Sequence, residues 1–218
     1  ELTKIGINLN LAPVADLASD QNPSYAMRCL GSDADGVADL LDDFVSGMRE
    51  GGLSVTLKTF PGIGNVSADV TESIAENTDS LMTIRDTNFV PYASGIQAGA
   101  DCVMVSNAAY SKLTVKKVPA FMSQDIVTKL LREELGFDGI VMTSPLNDNV
   151  IENNYTNEFA VVEAVKAGCD LIVLPGNFKE CYEALITAVE EGRIDEKVIN
   201  TSVRRILQNK IQRGILVL

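Results

Sequence analysis

The sequence predicts an α/β fold built on parallel strands, and two observations carry that expectation. One unit recurs three times. Gly99-Ala100-Asp101 leads into Cys102-Val103-Met104-Val105, Gly136-Phe137-Asp138-Gly139 into Ile140-Val141-Met142-Thr143, and Gly168-Cys169-Asp170 into Leu171-Ile172-Val173-Leu174. Each unit reads as a helix end, a tight turn and a continuous apolar strand. Between the units, Gln124 to Leu135, Glu158 to Ala167 and Lys179 to Glu190 place apolar residues at helical spacing. Continuous apolar strands alternating with amphipathic helices are the pattern of parallel strands buried on both faces.

The elements follow in order. Ile5 to Pro13 alternates apolar and polar residues, stops at proline and reads as a strand, with Val14-Ala15-Asp16 leading into a loop. Ser32 or Asp33 is placed to cap a helix whose apolar positions are Val37, Leu40, Leu41, Phe44, Val45 and Met48, and Gly51-Gly52 ends it. Leu53 to Lys58 is the second strand. A long polar loop is expected from Phe60 to about Asp79, then one helix from Leu81 to Gln97, bent at Pro91. The three repeats supply three more strands. A last helix, Asp195 to Arg213, carries basic residues through its final turns. About five strands, each followed by a helix, suit either a doubly wound sheet or part of a (β/α)8 barrel. The pattern does not choose between them. No Gly-x-Gly-x-x-Gly opens a helix after a strand, which leaves a dinucleotide site without support.

Composition narrows the function. The 218 residues are enough for one domain, expected to span 1–218, and the net charge of −12 argues against a nucleic-acid partner or an anionic membrane surface. There is no histidine, and Cys29, Cys102, Cys169 and Cys181 form no Cys-x-x-Cys pair, so no metal or other cofactor is expected. Cys102 and Cys169 read as buried free thiols. No signal peptide or membrane-length apolar run is present, and the chain opens mid-pattern at Glu1, so an earlier segment is expected before it.

In a barrel, functional groups sit beyond the C-terminal ends of strands. The exits here supply Asp16, then Lys58 and Thr59, then Asn107, Ser144 and Pro175, and their loops add Arg28 and Asp69. Arg28 and Lys58 are multi-donor groups suited to sugar hydroxyls. The plainer expectation is that each pairs with a carboxylate at the barrel top, with Asp16 as the obvious partner.

The stretch Leu57-Lys58-Thr59-Phe60-Pro61-Gly62-Ile63-Gly64, with Asp69 beyond it, resembles the Lys-His-Phe-Pro-Gly-His-Gly-Asp segment of glycoside hydrolase family 3, β-N-acetylhexosaminidase type. Gly6 to Asp16, Arg28 with Gly31, and Leu130 to Gly139 add to the likeness. The resemblance implies a (β/α)8 TIM-barrel-like domain with its C-terminal five or so βα units present. The first strands, with the family's Asp-x-Glu-Gly-Gly segment, are missing from this sequence, and pairing with them or with another chain is expected. It implies a carbohydrate partner, a β-linked amino sugar, with Asp16, Arg28, Lys58, Thr59 and Asn107 as binding positions. It also implies catalytic positions, and there this chain departs. The family's nucleophilic aspartate corresponds to Ser144, and its Asp-x-His acid/base unit to Asp69-Val70-Thr71. Thr59 and Asn107 replace two further histidines. A catalytically degenerate homologue is the expectation. The rivals are a hydrolase using the displaced carboxylates Asp148 or Glu72, for which Asp148 would need several ångströms of loop movement, and an interaction domain without ligand.

Overall fold

The structure, a computed structural model, describes residues 1–66 and 68–217. Among these the strands are β1 (Leu9–Asn10), β2 (Ser54–Phe60), β3 (Glu76–Asn77), β4 (Cys102–Val105), β5 (Ala109–Tyr110) and β6 (Ile140–Thr143). β1, β2, β4 and β6 form one parallel sheet in that order, and β3 pairs with β5. The third repeat lies alongside β6 as a fifth strand position: Leu171 bridges Met142 in parallel, and the Thr143 N–H donates to the Leu171 carbonyl at 3.1 Å. The architecture is TIM-barrel-like and the barrel is not closed, because β1 remains a sheet edge.

Three elements differ from expectation. The strand expected over Ile5 to Pro13 begins late. Leu2–Ile5 is a 3-10 turn, closed by Gly6 at φ 87, and only the segment beyond it runs along β2. There the N–H groups of Ser54, Thr56 and Lys58 donate to the carbonyls of Asn8, Ala12 and Pro13. The single helix expected over Leu81 to Gln97 is two, Leu81–Asp86 and Phe89–Gln97. The break falls at Thr87 (φ −124, ψ −79), not at Pro91. Pro91 is the third residue of its helix, where no intrahelical N–H bond is lost. The polar loop after Phe60 contains β3, whose pairing partner β5 is too short to announce itself in sequence.

Burial explains the layers. Ala34–Glu50 starts where Asp33 Oδ2 accepts the Gly36 N–H at 2.8 Å, and it buries Val37, Ala38, Leu41 and Val45. It packs on Phe89–Gln97 and β2. Phe60 stacks on Phe89 at 5.6 Å and meets Tyr92 edge-on at 5.2 Å between ring centroids. On the sheet's other face Cys102, Met104, Ile140 and Met142 cluster with Leu9, Leu171, Val173 and Ile206 of the last helix, Glu196–Gln212. All four thiols are free; Cys102 and Cys169 are buried, as expected, and burial pushes the Cys102 thiol up to about 12.

Two of the three repeated aspartates hold the N-terminal ends of the strands. Asp101 accepts the Val55 N–H of β2 at 3.0 Å, and Asp170 accepts the Val141 N–H of β6 at 2.9 Å. Arg213 grips Asp101 at 2.6 Å, while Arg132 and Arg205 reach Asp170 at 2.5 and 3.1 Å. The Arg205 and Arg213 pairs fix the last helix across one end of the sheet. The loops at the other end are left to build a site.

Candidate functional site

A cavity of about 740 Å³ opens at the C-terminal ends of the strands. Arg28, Lys58, Thr59, Asp69, Thr71, Asn107 and Ser144 all line it. Asp148 lines it as well. At the fifth strand exit the wall is Val173 and Leu174 rather than Pro175, whose carbonyl instead accepts from Cys181 Sγ at 3.1 Å.

Asp16, expected as a binding position, does not line the cavity: it is fully buried behind Tyr25 and Thr59, which do. It does not pair with Arg28 or Lys58, neither of which forms an ion pair among the described residues. It accepts instead from Tyr25 Oη at 2.6 Å, Tyr92 Oη at 2.9 Å, Thr59 Oγ1 at 2.9 Å and the Thr59 N–H at 3.1 Å. The expected carboxylate–cation pair fails because these four neutral donors already enclose the carboxylate. Burial pushes the Asp16 carboxyl up, against the opposing pull of its hydrogen bonds. Thr59 therefore spends its hydroxyl on Asp16.

Lys58 is delivered by β2, where burial and then the nearby Arg28 lower its ammonium below the ordinary lysine range. The Arg28 guanidinium sits 5.0 Å from the centroid of the Tyr25 ring. The peptide bonds Lys58–Thr59 and Phe60–Pro61 are cis. The glycines that follow are steric necessities. A Cβ on Gly64 would lie 1.9 Å from the Leu17 carbonyl oxygen, and Gly62 has φ 117.

Ser144 turns into the sheet, its Oγ donating to the Val105 carbonyl at 2.9 Å. Thr71 donates to Asp69 Oδ1 twice, from its N–H at 2.9 Å and its hydroxyl at 2.7 Å, and these bonds hold the Asp69 carboxyl below the usual aspartate range. Asn107 donates to Asp148 Oδ2 at 3.0 Å and to the Pro145 carbonyl at 3.2 Å. Asp148 is shifted the other way. Burial raises it, and Asp69 and Glu72 add to the rise against the Asn107 hydrogen bond.

Sequence reasoning missed Tyr25 and Leu174. Tyr25 belongs to a single helical turn, Pro23–Ala26, capped by Asn22, and the signal was the Asn-Pro pair itself. Leu174 reads as the end of an apolar strand. It has φ 46 and is 57% exposed, which composition and periodicity do not reveal.

The family described as glycosyl hydrolase family 3 N terminal domain matches residues 1–209. A β-hexosaminidase of Xylella fastidiosa (strain M23) is 32% identical over 174 residues, which cover 80% of this chain and 51% of that protein. A β-N-acetylglucosaminidase/β-glucosidase of Cellulomonas fimi is 29% identical, over 99% of this chain and 40% of its own. Among solved structures, a glycoside hydrolase family 3 β-N-acetylglucosaminidase from Paenibacillus sp. str. FPU-7 superposes with a TM-score of 0.95 at 34% identity, covering 100% of this chain and 43% of that one. The chain thus spans about half the length or less of these relatives.

Proposed function

The chain belongs to glycoside hydrolase family 3, and we propose that it is a catalytically degenerate domain of that family which keeps a cleft for a β-linked amino sugar. The observation that carries the reading is Ser144, which stands at the position the resemblance assigns to the nucleophile and donates its hydroxyl to the Val105 carbonyl at 2.9 Å. A retaining glycosidase needs a carboxylate nucleophile and a proton donor flanking the scissile bond. A serine with no base beside it supplies no such nucleophile. At the acid/base position Thr71 does not titrate near neutral pH. Its two hydrogen bonds favour Asp69 as an ionised acceptor rather than a donor. General acid–base help alone is commonly worth about 10²–10⁴-fold.

What remains supports binding. Lys58 and Arg28 line one cavity and form no ion pair among the described residues, which suits donation to sugar hydroxyls. Ground-state binding of this kind does not by itself accelerate hydrolysis.

The test is an assay of aryl β-N-acetylglucosaminide hydrolysis, run beside Ser144→Asp combined with Thr71→His. The expected result is no turnover by the parent and some recovered in the double replacement. A glycan titration, with binding expected and weakened in Lys58→Ala, separates this reading from an interaction domain without ligand. One observation favours a second reading, an active hydrolase with a displaced carboxylate: Asp148 lines the cavity with its carboxyl raised by burial. Parent turnover that disappears in Asp148→Ala or Glu72→Ala would establish that reading instead. The proposal also assigns to the edge strand β1 a pairing with further strands, from the same chain or another, since its outer backbone groups have no partner strand among the described residues.

A further inference from the structure

We propose that Leu174 and the apolar residues beside it receive an apolar aglycone, so that the ligand of the cleft is a sugar carrying a hydrophobic substituent; the proposal rests on the sugar-cleft reading above. Leu174 lines the cavity at the fifth strand exit, together with Val173 and, from β4, Met104. Met104 and Val173 belong to one apolar cluster on a single face of the sheet. Lys58 enters the same cavity from β2, and β4 and β6 lie between β2 and the fifth strand position. The lysine suited to sugar hydroxyls and the leucine at the rim therefore come from different parts of the sheet.

The backbone of Leu174 is the independent observation. Leu171 and Val173 pack with the cluster on one face of the sheet, and Ile172 packs with the larger core on the other. Leu174 comes next and is left 57% exposed. It is also the one non-glycine residue at positive φ among the described residues, at φ 46. A leucine in the left-handed region carries a backbone cost that glycine would avoid, because its Cβ crowds a carbonyl oxygen. With most of its surface in solvent, burial offsets little of that cost. The conformation is nevertheless held from both sides. The Val173 N–H donates to Thr143 Oγ1 at 3.0 Å, the Val173 carbonyl accepts the Leu146 N–H at 2.9 Å, and the Pro175 carbonyl accepts from Cys181 Sγ at 3.1 Å. Backbone strain that the surroundings hold in place is concentrated at ligand-contacting positions, and Leu174 stands in a cavity wall.

Aromatic rings gather at the same corner of the molecule. After Leu174 the chain turns at Gly176, where a Cβ would lie 2.5 Å from Asn157 Nδ2, so the turn rests against the start of the helix Asn157–Ala167. The exposed aromatic residues among the described residues are Phe159 on that helix, and Phe178 and Tyr182 on the helix that follows the turn. Phe178 and Tyr182 stack with ring centroids 6.3 Å apart. A leucine side chain offers a ligand apolar surface and no hydrogen bond, so what it recognises is hydrocarbon. The nearby rings make an aryl group a suitable hydrocarbon to test.

The experiment is calorimetric titration of the purified protein with the methyl and phenyl β-glycosides of N-acetylglucosamine, and with the methyl glycoside of its β-1,4-linked disaccharide. The phenyl glycoside is expected to bind about tenfold tighter than the methyl one, the effect of burying part of the added ring. Leu174→Gly and Leu174→Asn both suit a positive φ, and each should bring that ratio to within about threefold by weakening the phenyl glycoside alone. Leu174→Met keeps an apolar side chain and should keep most of the ratio. The urea midpoint of Leu174→Gly should stay close to the parent's, because relief of the left-handed leucine offsets the added freedom of glycine in the unfolded chain. If the methyl and phenyl glycosides bind equally to the parent, or if their ratio is unchanged in both the Gly and Asn variants, the inference is overturned and the sugar cleft stands. It is also overturned if the disaccharide gains as much as the phenyl glycoside and loses it in the same variants, since the surface would then seat a second sugar. A midpoint that falls in Leu174→Gly with the ratio unmoved would assign Leu174 to packing against a second copy or further strands. If none of the glycosides binds, the sugar-cleft reading and this inference fall together.

Discussion

Asp69 accepts two hydrogen bonds from Thr71, and the backbone one contributes most to holding its carboxyl below the usual aspartate range. A carboxyl depressed in this way adds stability above its unfolded pKa of about 3.9, and that contribution is lost as pH falls through the folded value. Thr71→Val removes the side-chain bond but keeps the N–H. The Asp69 carboxyl should therefore titrate higher than in the parent while staying below about 3.9, read by carbon-detected NMR. An unmoved titration would mean the hydroxyl contributes nothing. Asp16 works by different physics. It is enclosed by Tyr25, Tyr92 and Thr59, and Asp16→Ala would leave their buried donors without an acceptor. The expected loss is about 3 kcal/mol in urea unfolding. A loss under about 1 kcal/mol would show that the network relaxes or takes up water.

At the scale of elements, the three Gly-x-Asp turns look equivalent in sequence and are not. Asp170 has a fully buried side chain and gathers Arg132, Arg205, Ser202 and the Val141 N–H. Asp101 gathers Arg213, Asn209 and the Val55 N–H. Asp138 is exposed and makes no side-chain hydrogen bond or ion pair among the described residues. Asp170→Ala strands a largely buried arginine and should cost about 3–5 kcal/mol. Asp138→Ala should stay within about 0.5 kcal/mol of the parent. Equal losses in chemical denaturation would refute the assignment of Asp170 as the anchor of the last helix.

For the whole molecule, the cores on the two faces of the parallel sheet share the same strands, and the last helix is tied by Arg213 to the turn before β4 and by Arg205 to Asp170. An assembly joined this way should unfold as one domain over 1–218. A single urea transition, coincident by far-ultraviolet dichroism and by tyrosine fluorescence, is the expected outcome. Two separated transitions would divide the domain. The last helix and the turn after it leave a row exposed at every fourth residue: Val203, Leu207, Ile211 and Ile215.

The sequence by itself determined the parallel α/β pattern, the succession of strands and helices along the chain, and candidates that include seven of the cavity's lining residues. Apolar runs and turn glycines are local signals, and a strand exit is a position along a chain. The strand–loop stretch around Lys58 was legible for the same reason, as an apolar run ending in Pro61-Gly62, although what Gly64 makes room for is the distant Leu17 carbonyl. Only the tertiary structure decided who meets whom. It gave Asp16 to two tyrosines and a threonine instead of the cations, because Tyr92 arrives from a helix 76 positions away. It split the helix at Thr87, set Leu174 at φ 46 and brought Asp148 to Asn107 across 41 positions. Partners so distant in sequence have no periodicity to announce them. Their pairing follows from packing and from the requirement that buried polar groups be satisfied, and both are properties of the assembled fold.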